Sequence, residues 1–344
     1  MSDMRLTEYD FTRVIAMLCV VAVHCLSVVD TRGPVALMYF TFGQAAFFTA
    51  NAIFFMLSGK FNLTDRAASN PGDFYLRKIR GIVIPVLIFF FLRTLYNLYP
   101  GFGSVDNVLR SFATNALTDF NSMEYWFVFT LISLLMVAPF LANMVKGMNF
   151  DVKRLFFWLG IVWFVVLFAF NNLGVGFSWS YLFTGFCFPF VAGAFIEELF
   201  EKRKDKLRIW ILSLLALCLS VFLFRSDVRE GIFDDSPLYM LASTGLFLAL
   251  VSLGRRIKGE RATQCVAFVA RHSFSVYLVH MVVRHHLLAV APIVEGIASI
   301  GFHVVFTLAV ALVSLVVAVV LDTILVKSVQ GGFDGVVKRI GGPR

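Results

Sequence analysis

Charge is scarce in this chain, and acidic charge scarcest. Only 15% of its 344 residues are Asp, Glu, Lys or Arg, and 22 acidic side chains stand against 30 basic ones. A soluble domain is about one quarter charged, so a water-soluble globule is excluded. Cysteine chemistry is also missing. Cys19, Cys25, Cys187, Cys218 and Cys265 are scattered through apolar runs, with no CxxC pair and no metal-ligand cluster. They read as small buried hydrophobes, and no metal site is expected. No small-residue cleavage site follows the first apolar run, which is long enough to cross a bilayer, so a retained helix is expected rather than a secretory signal. No shift in composition marks a second domain, and no repeat is visible.

What remains is apolar. Hydrophobic residues make up 59% of the chain, 40 of them Phe, and the mean hydropathy is +0.82. A span needs about 20 mostly apolar residues. Ten such stretches are expected, at 11–30, 38–58, 81–99, 125–145, 154–171, 178–196, 208–225, 237–253, 273–293 and 299–325. The fold class is therefore an all-α polytopic membrane protein with about ten transmembrane helices, forming one integral membrane domain over 1–344.

The net charge of +8 has a topological reading that needs no nucleic acid. With the N-terminus inside, inner segments hold 23 of the Lys and Arg residues, outer segments hold 4, and Arg13, Arg93 and Arg284 fall within spans. Cytoplasmic loops collect such residues, so both termini are expected in the cytoplasm.

Ionisable groups inside a span are costly and face the bundle interior or an aqueous cavity. Arg13 and His24 lie eleven residues apart in the first span. On a helix that is about three turns, on nearly one face, ~16 Å apart along the axis. A cation at the inner mouth and an imidazole far inside suit a narrow channel for a long anionic molecule. Snorkelling of Arg13 and a structural hydrogen bond at His24 are the plainer readings. Gln44, Asn51 and Ser58 recur every seven residues in the second span as one polar stripe, either interhelical glue or a wall of that channel. Arg77 and Arg80, before the third span, share a helix face and could clamp phosphate in forked pairs. Glu124, Tyr125 and Trp126 open the fourth span at the outer face. Ser273, Tyr277 and His280 recur at helical spacing in the ninth, with Arg284 one turn on.

Five stretches, in order, carry a resemblance: "YDFTRVIAMLCVVAVH", "FFMLSGKF", "YLRKIRGIVIP", "EYWFVFTLISLLMVAP" and "SFSVYLVH". With them the chain resembles the membrane-bound acyltransferase family 3, which includes bacterial O-acetyltransferases of surface polysaccharides. The resemblance implies that His24 is the essential catalytic histidine and that Arg13, Arg77 and Arg80 engage an acyl-CoA donor. It implies a multi-pass protein of the bacterial cytoplasmic membrane. Such a protein would use acetyl-CoA as a substrate, hold no permanent cofactor, and acylate a surface polysaccharide or a lipid-linked sugar. Lys60 departs from the pattern, since the family often has Tyr after "LSG".

In that reading His24 is a general base, a task that suits imidazole because the unperturbed side chain titrates close to neutrality. Asn51 or Tyr277 would stabilise the oxyanion. The sugar would approach near Glu124, Tyr125 and Trp126, with His280 also near the site. Cys25 points about 100° away from His24 on the helix, which disfavours a thiol nucleophile. The rival class is a proton-coupled transporter or polysaccharide exporter, for which inverted repeats and broken helices would be expected.

Overall fold

The computed structural model describes residues 6–101, 103–117, 125–174, 185–225 and 236–340, and among these every regular element is a helix. The first, α1 (Thr7–Cys25), has Glu8 and Asp10 in its first turn, where acids complement the helix dipole, and His24 in its last. A short 3-10 turn over Leu26–Val28 follows. The second span consists of α2 (Pro34–Phe48) and α3 (Ala50–Asn62). Next come α4 (Asp65–Ser69), capped by Thr64, and α5 (Pro71–Lys78), capped by Asn70 and opened by a proline. A π turn over Ile79–Val83 joins α5 to α6 (Ile84–Leu98).

The remaining helices are α7 (Val105–Leu117), α8 (Trp126–Lys146), α9 (Phe150–Asn172), α10 (Cys187–Gly193), α11 (Ile196–Leu199), α12 (Arg203–Arg225), α13 (Pro237–Gly254), α14 (Glu260–Ala289), α15 (Ala298–Leu321) and α16 (Lys327–Arg339). A second π turn, Asp322–Val326, links α15 to α16. Among the described residues, nine helical stretches are long and apolar enough to cross a membrane. Nine of the ten expected spans correspond to them. The expected span 178–196 is described only from residue 185, as α10 and the start of α11.

The second span breaks at Thr49, a break that the seven-residue polar stripe did not reveal. The Tyr239 hydroxyl of α13 donates to the Phe48 carbonyl (3.0 Å) and accepts from the Ala52 N–H (3.1 Å). It thus stands in the rung that would otherwise join Ala52 to Phe48, an insertion of the kind that bends helices. The interruption is one residue long, and the phenol satisfies both backbone groups.

Helix α1 packs against α2, α3, α13, α14 and α15, and polar knots hold both of its ends. At the N-terminal end Glu197 of α11 accepts from the Tyr9 hydroxyl (2.6 Å) and pairs with Lys60 (3.2 Å) and Arg255 (2.5 Å). Burial would raise the Glu197 carboxyl, but Tyr9, Lys60 and Arg255 outweigh it and hold it below its ordinary range. Just beyond the C-terminal end, Asp30 accepts from Arg32 (2.7 Å) and from the Gly296 N–H (2.8 Å), while Arg32 also reaches Glu295 (2.8 Å). Those hydrogen bonds hold the Asp30 carboxyl well below the carboxylate range.

Small residues and aromatic rings build the interior. Gly59 and Gly193 bring α3 and α10 into backbone contact, and Gly160 leaves room for the ring of Phe188. Such close approach is how helices gain contact where lipid offers no hydrophobic drive. Phe55 stacks on Phe186 (4.4 Å) and tilts on Phe127 (4.7 Å). Large apolar side chains on the outer faces, such as Leu308, Leu312 and Val316 of α15, remain exposed, as lipid-facing positions must.

Candidate functional site

A cavity of about 340 Å³ opens between α1, α3, the α5–α6 junction, α8 and α14. Three cations line it: Arg13, Lys78 and Arg271. Ser58, Asn62, Ser273 and Tyr277 supply the polar wall, and Phe54, Phe61 and Phe127 much of the apolar one. None of its described lining residues is acidic. Arg13 is half-buried, pairs with Asp10 (3.0 Å) and lies 5.8 Å from the Phe61 ring centroid. Asn62 is buried and donates to the Ser58 carbonyl (2.7 Å), while its Oδ1 has no hydrogen-bond partner among the described residues.

Two helices carry this site in parallel. Arg13 and Arg271 line the same cavity. Eleven residues along α1 from Arg13, and nine along α14 from Arg271, the His24 and His280 rings lie 5.2 Å apart. At 1.5 Å per residue those separations are ~16 and ~14 Å, so the two helices keep register from the cationic mouth to the histidine pair. Tyr277 joins the ends. It lines the cavity, and its ring lies 5.3 Å from Phe127 and 5.6 Å from His280. His24 is not itself a lining residue. It stands beyond the cavity's inner wall, through Tyr277 and then His280.

His280 is fully buried, with Nδ1 2.5 Å from the Tyr277 carbonyl oxygen. Arg284, one turn further, donates to Ser27 Oγ (2.6 Å) in the turn that follows α1. This contact fastens α14 beside His24. Cys25 faces away, buried with Val21, Val283 and Phe306 in an apolar cluster.

The structure does not gather all the residues that the sequence singles out. Arg77 and Arg80 lie at the same end as the cavity mouth but are not among its lining residues. Arg77 pairs with Asp73, and Arg80 pairs with Asp334 of α16 (2.8 Å), whose neighbour Gln330 donates to the Arg80 carbonyl (2.8 Å). The face that meets the cavity is Lys78, Gly81 and Ile82, one residue on from each arginine and so about 100° around the helix. Asn51 and Gln44 do not line the cavity; of their stripe only Ser58 does. Tyr125 is buried against Phe90 and donates to the Leu278 carbonyl (3.1 Å). It lines a second cavity, of about 370 Å³, with Arg93, Tyr96 and His286. Trp126 packs on Phe186 (5.1 Å). Glu124 lies outside the described residues.

Sequence reasoning passed over Lys78 and Arg271, reading both as topogenic charges. It also passed over Asp322, which accepts from Ser275 Oγ (2.6 Å) and pairs with His272 Nδ1 (2.6 Å). The serine bonds to the carboxylate and not to the imidazole, so this trio is a tie between α14 and the end of α15 rather than a nucleophile with its base. An acid in the last apolar run was its only visible signal.

A family model described as an acyltransferase domain matches residues 6–323. No curated protein and no solved structure matches the chain.

Proposed function

The chain belongs to membrane-bound acyltransferase family 3, and from that premise we propose that it transfers an acyl group, acetyl in the first instance, from cytoplasmic acyl-CoA to a sugar hydroxyl of a surface glycan or its lipid-linked precursor. The observation that supports this most is the cavity with three cations and no described acid, from which Tyr277 and His280 lead to His24. A coenzyme A nucleotide is strongly anionic, and its pantetheine arm is long and thin. The phosphates suit Arg13, Lys78 and Arg271, where the local field is positive. Arg77 and Arg80 add to that field from the rim. The arm would lie along Ser58, Ser273 and Phe127, and rotation of Tyr277 would admit the thioester to His24.

The chemistry then needs one base. His24 takes the proton of the acceptor hydroxyl as its oxygen attacks the thioester carbonyl. The C–S bond breaks, the ester remains on the sugar, and the imidazolium returns its proton to the departing thiolate. Tyr277, whose side chain lines the cavity and whose ring lies near His280, is our candidate for stabilising the oxyanion.

Surface glycan from cells with and without the protein tests this reading. Mass spectrometry is expected to find an acyl increment that needs the protein and is lost after mild alkali. An unmodified glycan in both, with the same sugar moved across the membrane only when the protein is present, would support the transporter instead.

The cavity also yields a prediction about donor binding. Lys78→Gln and Arg271→Gln should each raise the KM for acyl-CoA about tenfold and leave kcat nearly unchanged, since hydrogen bonds to charged groups contribute about 1.5–3 kcal/mol. Arg80→Gln, which loses an ion pair to Asp334 rather than a lining position, should raise it less. Steady-state kinetics on purified protein in nanodiscs would decide, and an order with Arg80 dominant would return the phosphates to the rim.

A further inference from the structure

The histidine beside His24 has a fixed tautomer, and its free nitrogen has a use. Nδ1 of His280 lies 2.5 Å from the carbonyl oxygen of Tyr277. A carbonyl only accepts, so Nδ1 carries the hydrogen. In a neutral imidazole the other nitrogen, Nε2, is then a bare lone pair. That atom is fully buried and has no hydrogen-bond partner among the described residues. An unsatisfied buried acceptor is costly, so its retention here calls for a use. The His24 ring lies 5.2 Å away, tilted by 44°.

We propose that His280 is the positioning residue for His24: its Nε2 accepts the N–H of one His24 ring nitrogen in the reacting state and so presents the other nitrogen, unprotonated, to the acceptor hydroxyl. This rests on the reading of His24 as general base. A base whose ring is held by a third group is a recurrent arrangement in acyl transfer, usually with a carboxylate in that role. A carboxylate in this interior would bring a buried charge, whereas a neutral imidazole orients without one. Tyr277 contributes twice, through its carbonyl to His280 and through its ring to the cavity wall. Donor entry and base orientation are thereby set on the same turn of α14. Arg284, bonded to Ser27, holds the two helices together just beyond.

Two substitutions separate this role from packing. His280→Asn keeps a donor in the place of Nδ1 but has no atom in the place of Nε2. His280→Gln reaches the Nε2 position with an acceptor oxygen. On purified protein in nanodiscs, His280→Asn is expected to lower kcat by about tenfold or more, with KM for donor and acceptor within about twofold. His280→Gln is expected to recover most of that loss. Equal kcat for Asn and Gln, whether both high or both low, would overturn the proposal. So would a loss in Asn carried by KM. The His24→Ala protein, run beside them, keeps the outcomes distinct. If it retains activity, the general-base reading fails. If it is inactive while Asn and Gln are equal, only the positioning role fails.

Discussion

His24→Ala is expected to abolish acyl transfer and leave the fold in place. Losing a general base typically costs about 10²–10⁴ in rate, so the acyl increment on the glycan should fall below detection at normal protein levels. The structure explains why folding should survive. His24 is half-buried in the last turn of α1, and alanine is the best helix former. The packing of that turn is carried by Val21 and Cys25, against Val283 and Phe306. The Asp30–Arg32–Glu295 knot fixes the chain just beyond. Thermal stability in detergent should therefore change little. An unaltered ester content with His24→Ala would remove the imidazole from the mechanism, and Tyr277 would become the next group to test.

The second large effect concerns the fold alone. Gly59→Ala should leave little folded protein, because the added Cβ would stand 1.7 Å from the Phe190 carbonyl oxygen of α10. Overpacking a core usually costs about 1–3 kcal/mol, and occasionally more. Here the obstacle is backbone, which has no alternative rotamer, so the cost should reach or pass the top of that range. Gly193 makes the reciprocal contact, its added Cβ being 2.1 Å from the Met56 carbonyl oxygen. Gly59 also sits between Ser58, on the cavity wall, and Lys60, bound to Glu197. Displacing it would disturb site and knot together. Gly331→Ala in α16, where a Cβ meets nothing within 4 Å, should instead be neutral or slightly stabilising, because glycine is a poor helix former. The monodisperse fraction after detergent extraction and the midpoint of thermal aggregation would compare them. A Gly59→Ala protein as stable as the wild type would show that α3 and α10 are not in backbone contact.

Several parts of the site were legible because they depend on spacing within one helix. Arg13 and His24 share a face by helical arithmetic, and α1 is one uninterrupted helix that preserves it. The same holds for Ser273, Tyr277 and His280 on α14. Other parts depend on contacts with distant helices. Whether Arg77 or Lys78 meets the cavity depends on how one helix is rotated about its own axis, and that is set by what packs against it. Asp334 and Gln330, about 250 residues away, hold Arg80. The stripe of Gln44, Asn51 and Ser58 assumed an unbroken helix, whereas a phenol from α13 interrupts it at Thr49. Tyr125 reads as an interfacial residue from its place at the start of a span, but its hydroxyl finds the Leu278 carbonyl and its ring is buried.

By itself, then, the sequence determined the solvent. Too few charges and too many apolar runs leave only a bilayer as the medium, and runs of about 20 residues cross hydrocarbon as helices, whose backbone satisfies itself. It also determined that an arginine and a histidine share one face of the first helix, because that follows from 3.6 residues per turn. Only the tertiary structure decided which cations line the cavity, which histidine stands against His24, and which glycines bring backbones together. These are contacts between helices far apart in the chain, fixed by the rotation and close packing of the bundle.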